Sequence, residues 1–190
     1  MDFTESTSAI IRVGAGRGFV IEGVRGRLVI TAAHCLPELP PAMSFSLLEE
    51  RTYRNLLGGL QEQPSVAAEC LFVDPVADIA VLGEPDNQLL TEAWEAYDEM
   101  VGACTTMPLS DSAGDAAMLF YLEGAWRPCR LQVNRQTFGI DAEPAIQGGM
   151  SGSPILNTAG EAVGVVVTNQ GPHPKLVNHL PAWLARELFA

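Results

Sequence analysis

The sequence is poor in positively charged residues. Lys and Arg number 11 against 23 Asp and Glu, which gives a formal net charge of −12 at pH 7. Nucleic-acid-binding proteins usually carry a basic stripe, and none is visible here, so no nucleic-acid partner is expected. The densest acidic run, residues 84–99, is interpreted as a solvated face, with a dock for a basic partner as the alternative. Four arginines form a small basic cluster near the N-terminus. We interpret them as ordinary charged residues at strand ends and turns: Arg12, Arg17, Arg25 and Arg27.

The sequence also lacks a long apolar run. No stretch approaches the length that a membrane-spanning helix needs. The first residues, Met-Asp-Phe-Thr-Glu-Ser, lack the basic start and the apolar segment of a signal peptide. We therefore expect no membrane partner and a cytoplasmic location.

Cysteine is sparse, and its spacing gives no metal pattern. No Cys-x-x-Cys pair is present, so a zinc site is a weak hypothesis. An even count would permit two disulfides, but nothing suggests export, and we expect free and mostly buried thiols. No ligand spacing supports a metal at His173 and His179, so neither a metal nor an organic cofactor is expected. The four cysteines are Cys35, Cys70, Cys104 and Cys129.

Turn-forming residues, in contrast, are plentiful. The chain has 18 glycines and 13 prolines, and 47% of its residues are hydrophobic. This composition favours a well-folded protein rich in β structure. Residues 45–60 are ambiguous between a strand and a short helix. Short apolar runs between turns predict strands over 10–13, 18–22, 28–32, 67–73, 79–82, 116–123, 126–133, 138–141, 153–157 and 162–168.

Apolar residues recur at helical spacing in two places. One is a predicted helix over 89–100 that carries Leu90, Ala93, Trp94 and Tyr97. The other is a predicted C-terminal helix that carries Leu180, Trp183, Leu184 and Leu188. The first would join two halves of the protein, so the pattern predicts an all-β fold of two packed β-barrels, over residues 1–95 and 96–190.

Two polar residues adjoin apolar strands. His34 directly follows the predicted strand 28–32, and Asp78 opens the predicted strand 79–82. A buried carboxylate needs a partner, and imidazole is a natural one, because a carboxylate on one ring nitrogen fixes the tautomer. The alternatives are a structural histidine at a strand end and an ordinary strand-start aspartate.

A third polar residue lies in a glycine-rich turn. Residues 147–155 read Gln-Gly-Gly-Met-Ser-Gly-Ser-Pro-Ile, with Ser151 just before an apolar strand. A serine hydroxyl becomes a strong nucleophile when a base takes its proton, and the backbone N–H groups of a tight turn can stabilise an oxyanion. The alternative is a plain Gly-Ser loop.

The three residues are more specific together than singly. Their order is His, Asp, Ser, which differs from that of the α/β-hydrolases, and residue 153 is not the glycine that their Gly-x-Ser-x-Gly elbow requires. Residues 31–35, Thr-Ala-Ala-His-Cys, resemble the histidine motif of chymotrypsin-like and trypsin-like serine proteases. Residues 78–82 resemble their aspartate motif, and residues 149–154 their serine motif. The bacterial HtrA-like and glutamyl-endopeptidase-like branch is the most similar.

The resemblance implies a fold and a set of roles. It implies two six-stranded antiparallel β-barrels with a C-terminal helix and an active site between them. Ser151 would be the nucleophile, His34 the general base and then acid, and Asp78 the residue that orients His34. The backbone N–H groups of Gly149 and Ser151 would form the oxyanion hole. Protein or peptide would be the substrate.

The sequence departs from the secreted members at two points. They carry an aspartate before the nucleophile that binds a newly released N-terminus, and this chain has Met150 there. The cysteine that would pair with Cys35 should fall near Gly16 or Gly18 and is missing. The first departure removes the zymogen switch, and the second strengthens the expectation of reduced thiols.

The resemblance also places a substrate pocket. Its walls would be residues before the serine turn and residues on the strand after it, namely Ala145, Ile146, Gln147, Val166, Val167, Thr168 and Asn169. Because none of them is charged, we expect a small to medium apolar side chain at the cleavage position. Two hypotheses compete with an active endopeptidase: an inactive binding or scaffold protein on a protease fold, and a protease that is latent until a regulatory partner orders the site.

Overall fold

A computed structural model describes residues 3–24, 26–41, 51–85, 91–110, 114–134, 137–168, 171–172, 186 and 188. Within these ranges the chain is mostly β, with short helices. No helix in the described part is long and apolar enough to cross a bilayer. The all-β prediction is confirmed.

The first half forms a closed antiparallel barrel with strand order β1-β2-β3-β6-β5-β4. Its strands are β1 (Ile10–Val13), β2 (Gly16–Gly23), β3 (Gly26–Ala32), β4 (Thr52–Gly58), β5 (Val66–Asp74) and β6 (Ile79–Gly83). Strand β4 decides the ambiguity over residues 45–60 in favour of a strand, although residues 42–50 lie outside the described ranges. In the β3–β6 pairing, Ala32 lies opposite Ile79, so the end of β3 meets the start of β6.

The second half forms a curled antiparallel sheet with order β12-β11-β10-β7-β8-β9. Its strands are β7 (Ala116–Phe120), β8 (Trp126–Asn134), β9 (Thr137–Asp141), β10 (Pro154–Leu156), β11 (Ala162–Thr168) and β12 (Gly171–Pro172). Strands β7 to β11 make a half-barrel, and the two-residue β12 extends one edge until it contacts β9. The second unit is therefore a six-stranded curled sheet whose two edges approach each other, which confirms the predicted two-barrel architecture.

Side chains that alternate in direction along the strands of the second unit connect its core with that of the first barrel. Leu119 and Ile155 lie in the core of the second unit. The next residue along each strand, Phe120 and Leu156, lies in the large apolar cluster of the first barrel. Because successive side chains of a strand point to opposite faces, one face of the second sheet fills its own core and the other packs on the first barrel.

Two helices precede and follow the strands of the first barrel. A short α1 (Thr4–Thr7) precedes β1, and α2 (Thr91–Gly102) packs on β5 and β3. The prediction of a helix over 89–100 is confirmed for the described residues. Its buried side chains are Tyr97 and Val101, four residues apart, whereas Trp94 is 41% exposed. The predicted domain boundary at residue 95 lies within α2 and stays a prediction.

The predicted C-terminal helix lies mostly outside the described residues. Arg186 and Leu188 have helical backbone, and the Leu188 side chain is buried in the cluster of the first barrel. His173 and His179 also lie outside the described ranges, so the expectation that they bind no metal stays a prediction.

Candidate active site

The His34 side chain is exposed beside the first barrel. Strand β3 ends at Ala32, and a single 3₁₀ turn, Ala33–Cys35, follows it. Ala33 and Cys35 are buried, whereas 47% of the His34 side chain is exposed. Burying the two neighbours thus turns the imidazole outward at the point where β3 meets β6.

The Asp78 carboxylate holds His34 at two points. Its Oδ1 accepts a hydrogen bond from the His34 backbone N–H at 2.9 Å, and its Oδ2 lies 2.6 Å from the ring Nδ1. The Asp78 carbonyl also accepts the Ala33 N–H at 3.0 Å. A carboxylate accepts hydrogen bonds, so this partner assigns the proton to Nδ1 and leaves Nε2 as a free base.

Asp78 adopts an unusual backbone conformation to reach His34. Its φ is +55°, in the left-handed region that a residue with a Cβ rarely adopts. Such a conformation costs on the order of 1–2 kcal/mol, which the three hydrogen bonds to residues 33 and 34 offset. Strain of this kind concentrates at functional sites.

The Ser151 turn is built on two left-handed glycines. Gly149 has φ +88° and Gly152 has φ +83°. The Met150 N–H bonds to the Gln147 carbonyl at 3.2 Å, and the Gly152 N–H bonds to Val166 of β11 at 2.6 Å. The turn is therefore closed on itself and tied to the sheet that follows it. Neither the Gly149 N–H nor the Ser151 N–H donates to any described residue.

The first barrel contacts the Ser151 backbone directly. The Arg17 N–H donates to the Ser151 carbonyl at 2.7 Å, and the Cys35 thiol contacts the same oxygen at 3.7 Å. Gly16 packs so closely that a Cβ there would lie 2.6 Å from that oxygen. Ser151 is thus held against Cys35, the residue that follows His34. Among the described contacts, no hydrogen bond joins the Ser151 hydroxyl to the His34 ring.

Sequence comparison identifies the family. Residues 16–165 match the model of the trypsin-like peptidase domain. The chain belongs to the trypsin-like peptidase family. No curated protein matches it.

Solved structures are similar to this chain in fold. The human pathogenic astrovirus serine protease is 17% identical with a TM-score of 0.60, covering 92% of this chain and 94% of that chain. The active form of the Rv3671c protease from M. tuberculosis is 16% identical with a TM-score of 0.58, covering 97% and 83%. Deg5 is 16% identical with a TM-score of 0.55, covering 90% and 86%. The predicted chymotrypsin-like fold is confirmed.

Only part of the predicted substrate pocket lies at the surface. Ala145 and Gln147 are exposed and Ile146 is half-buried. Val166 and Val167 are buried, and their side chains pack in the two apolar clusters, so their role as pocket walls stays a prediction. Neither the Thr168 side chain nor Asn169 lies within the described structure.

A concave surface that the sequence did not predict lies beside His34. A cleft of about 250 Å³ is bounded by the His34 ring, by Leu36 and Leu39 after it, and by Pro75 before Asp78. Leu39 is 52% exposed. Val76, which follows Pro75 in the turn before β6, is 95% exposed. Exposed aliphatic side chains beside a cleft are typical of a surface that binds an apolar ligand.

The prediction that Arg17 is an ordinary charged residue at a strand end or turn is wrong. Its side chain is among the few charged groups in the buried set, at 7% exposure. The guanidinium leaves the first barrel and hydrogen-bonds the carbonyls of Phe120 and Tyr121 in the second unit. The one sequence signal was its place between two glycines at the start of an otherwise apolar strand.

All four cysteines are free thiols, as predicted. Cys35, Cys70 and Cys129 are buried, and Cys104 is half-buried. Burial raises the pKa of each thiol, and it raises the pKa of Cys129 from the ordinary value of 9.0 to about 12.

We expect iodoacetamide at pH 8 to modify Cys104 before the other three cysteines. The thiolate is the reactive form, and a rise in pKa from 9.0 to about 12 lowers its fraction at Cys129 roughly a thousandfold. Peptide mass spectrometry over time measures the order, and the urea-unfolded protein, in which all four should react alike, is the control. Equal rates at Cys104 and Cys129 in the native protein would contradict this.

Proposed function

We propose that the protein is a serine endopeptidase that works through an acyl-enzyme. Ser151 attacks the scissile carbonyl, while Nε2 of His34 takes the hydroxyl proton. The same imidazolium then gives its proton to the leaving amine, and the attack of water on the ester, assisted again by His34, releases the acid and regenerates Ser151. The N–H groups of Gly149 and Ser151 stabilise the tetrahedral oxyanions.

One observation carries this proposal. The Asp78 carboxylate contacts His34 through both of its oxygens, at 2.9 Å and 2.6 Å. A general base needs one tautomer and one orientation, and this two-point contact provides both. A structural histidine would more often be buried, whereas nearly half of this side chain is exposed. The contact of Cys35 with the Ser151 carbonyl supports the same assignment.

The substrate we propose is a protein or peptide with a small or medium apolar residue at the cleavage position. Three predicted pocket residues directly precede the serine turn. These residues, Ala145, Ile146 and Gln147, carry no charge. The exposed Leu39 lines the cleft beside His34 and would add an apolar contact there.

Labelling with a fluorophosphonate tests the proposal. We expect the Ser151 oxygen to displace fluoride from phosphorus, with the proton passing to His34, so that the peptide containing Ser151 gains the phosphonyl mass. Ser151→Ala should abolish labelling and peptide cleavage together. Ser65→Ala, at an exposed serine in the loop before β5, is the matched control and should keep both. Absence of labelling in the folded wild-type protein, or undiminished cleavage by Ser151→Ala, would refute the proposal.

A latent form of the same enzyme is the second candidate. It is favoured by one observation: the described contacts include no hydrogen bond between the Ser151 hydroxyl and the His34 ring. Brisk cleavage of an unfolded protein by the purified chain would exclude latency, whereas slow labelling that a partner accelerates would support it. An inactive scaffold would show no labelling under either condition.

A further inference from the structure

We propose that Arg17 is a positioning residue that sets the Ser151 turn and the segment before it from the first barrel. The inference rests on the proposed function for its effect on catalysis. The placement of the turn itself can be tested without any activity.

The Arg17 backbone fixes the turn from one side. Its N–H holds the Ser151 carbonyl at 2.7 Å, and its own carbonyl accepts the Thr31 hydroxyl at 2.6 Å. The α-carbon of Gly152 lies against that same carbonyl, with no room for a Cβ between them. Residues 151 and 152 therefore rest directly on the Arg17 peptide group.

The Arg17 side chain fixes the second unit at another place. Nη1 donates to the Phe120 carbonyl at 2.9 Å and lies 3.5 Å from the Ser153 hydroxyl, and Nη2 donates to the Tyr121 carbonyl at 3.3 Å. The guanidinium carbon lies 5.2 Å from the centre of the Phe120 ring. A planar guanidinium can reach two successive carbonyls at once, which a single ammonium cannot do with the same geometry.

The turn after β7 continues the connection to the serine turn. The Tyr121 hydroxyl donates to the Pro144 carbonyl at 2.5 Å. Leu122 lies beside Gly149, since a Cβ on that glycine would be 3.5 Å from the Leu122 Cδ2. By holding residues 120 and 121, Arg17 thus constrains both the start of the segment that leads to Ser151 and the glycine beside it.

Burying this cation is costly, which argues for a role beyond stability. Desolvation lowers the pKa of the Arg17 guanidinium, and the Glu123 carboxylate opposes that shift. Its hydrogen-bond partners are two backbone carbonyls and a serine hydroxyl rather than a carboxylate. Buried charges held in this way often give little net stability and instead select one arrangement of the groups around them.

Kinetics of Arg17→Met, Arg17→Lys and the control Arg12→Met test the proposal. Arg12 is a half-buried arginine on β1 that bonds to Gly14 and Glu62, away from the serine turn. We expect Arg17→Met to lower kcat per fluorophosphonate-titrated site about 100-fold, because a displacement near 1 Å has effects of that size. KM should change much less. Arg17→Lys, which keeps the charge and one donor group, should recover about tenfold of the loss.

Hydrogen exchange separates positioning from general destabilisation. In Arg17→Met we expect the hydrogen-bonded amides of Met150, Gly152 and Ser153 to exchange about tenfold faster, while those of β4 stay as in wild type. Arg17→Lys provides the same comparison if Arg17→Met does not fold. The role of Arg17 would be overturned if Arg17→Met exchanged faster throughout the chain. It would also be overturned if the wild type were active and Arg17→Met had the same kcat per titrated site. A wild type without activity would refute the proposed function, while faster exchange in the variant confined to Met150, Gly152 and Ser153 would still support the placement.

Discussion

Asp78→Asn is expected to lower kcat about 10⁴-fold while leaving the protein folded. An asparagine keeps one acceptor oxygen and gains an NH₂ group. If that oxygen keeps the His34 backbone N–H, the NH₂ group faces Nδ1 and can only donate to it. The ring proton then moves to Nε2, and the base that should accept the Ser151 proton is lost. Inverting the tautomer of a triad histidine in this way costs roughly 10⁴ in kcat.

Asp74→Asn is the matched control for this substitution. Asp74 is the last residue of β5, directly before the loop that contains Asp78, and its Oδ1 accepts the N–H groups of Val76 and Ala77, each at 2.9 Å. An asparagine oxygen can accept both bonds, so the loop should keep its shape and kcat should stay within a factor of a few. Steady-state hydrolysis of a peptide ester measures kcat, and circular dichroism checks folding. The tautomer argument fails if the two variants lose the same activity or if Asp78→Asn loses little.

The strands and the three polar residues were predictable because each depends on local pattern. The predicted strand over 10–13 matches β1, and the one over 162–168 matches β11. His34 and Asp78 each adjoin an apolar strand, so a partner for a half-buried carboxylate could be inferred before any pairing was known. The pairing itself, Ala32 opposite Ile79, joins segments that lie far apart in sequence and follows from closing the barrel.

Other features depend on tertiary contact and leave little trace in the sequence. The left-handed backbone of Asp78 follows from the two groups it must reach, and a hydrophobic pattern carries no sign of it. The burial of the Val166 side chain has a different cause. Neighbouring residues of a strand face opposite sides, and both Val166 and Val167 lie against apolar clusters because β11 is sandwiched between the two cores.

Gly152→Ala is expected to destabilise the protein by about 2–5 kcal/mol. The left-handed φ of +83° costs an alanine roughly 1–2 kcal/mol. The new Cβ would overlap the Arg17 carbonyl oxygen and lie 2.7 Å from the Thr31 Oγ1, and overpacking of a filled site costs about 1–3 kcal/mol more. Against a total stability of about 5–15 kcal/mol, such a loss is large. Urea unfolding measures it.

Gly124→Ala separates the two causes. Gly124 has almost the same φ, +85°, but nothing lies within 4 Å of a Cβ placed there, so it should lose only the roughly 1–2 kcal/mol that the backbone costs. If the two alanine variants are equally stable, the close contact between the serine turn and Arg17 has no energetic weight. If Gly152→Ala loses more, the extra cost measures that contact.

Both Arg17 and Thr31 lie in buried strands that cannot move away, so the overlap in Gly152→Ala would be relieved by moving the turn. Ser151 would then leave Cys35 and His34, and activity should fall even where the variant stays folded.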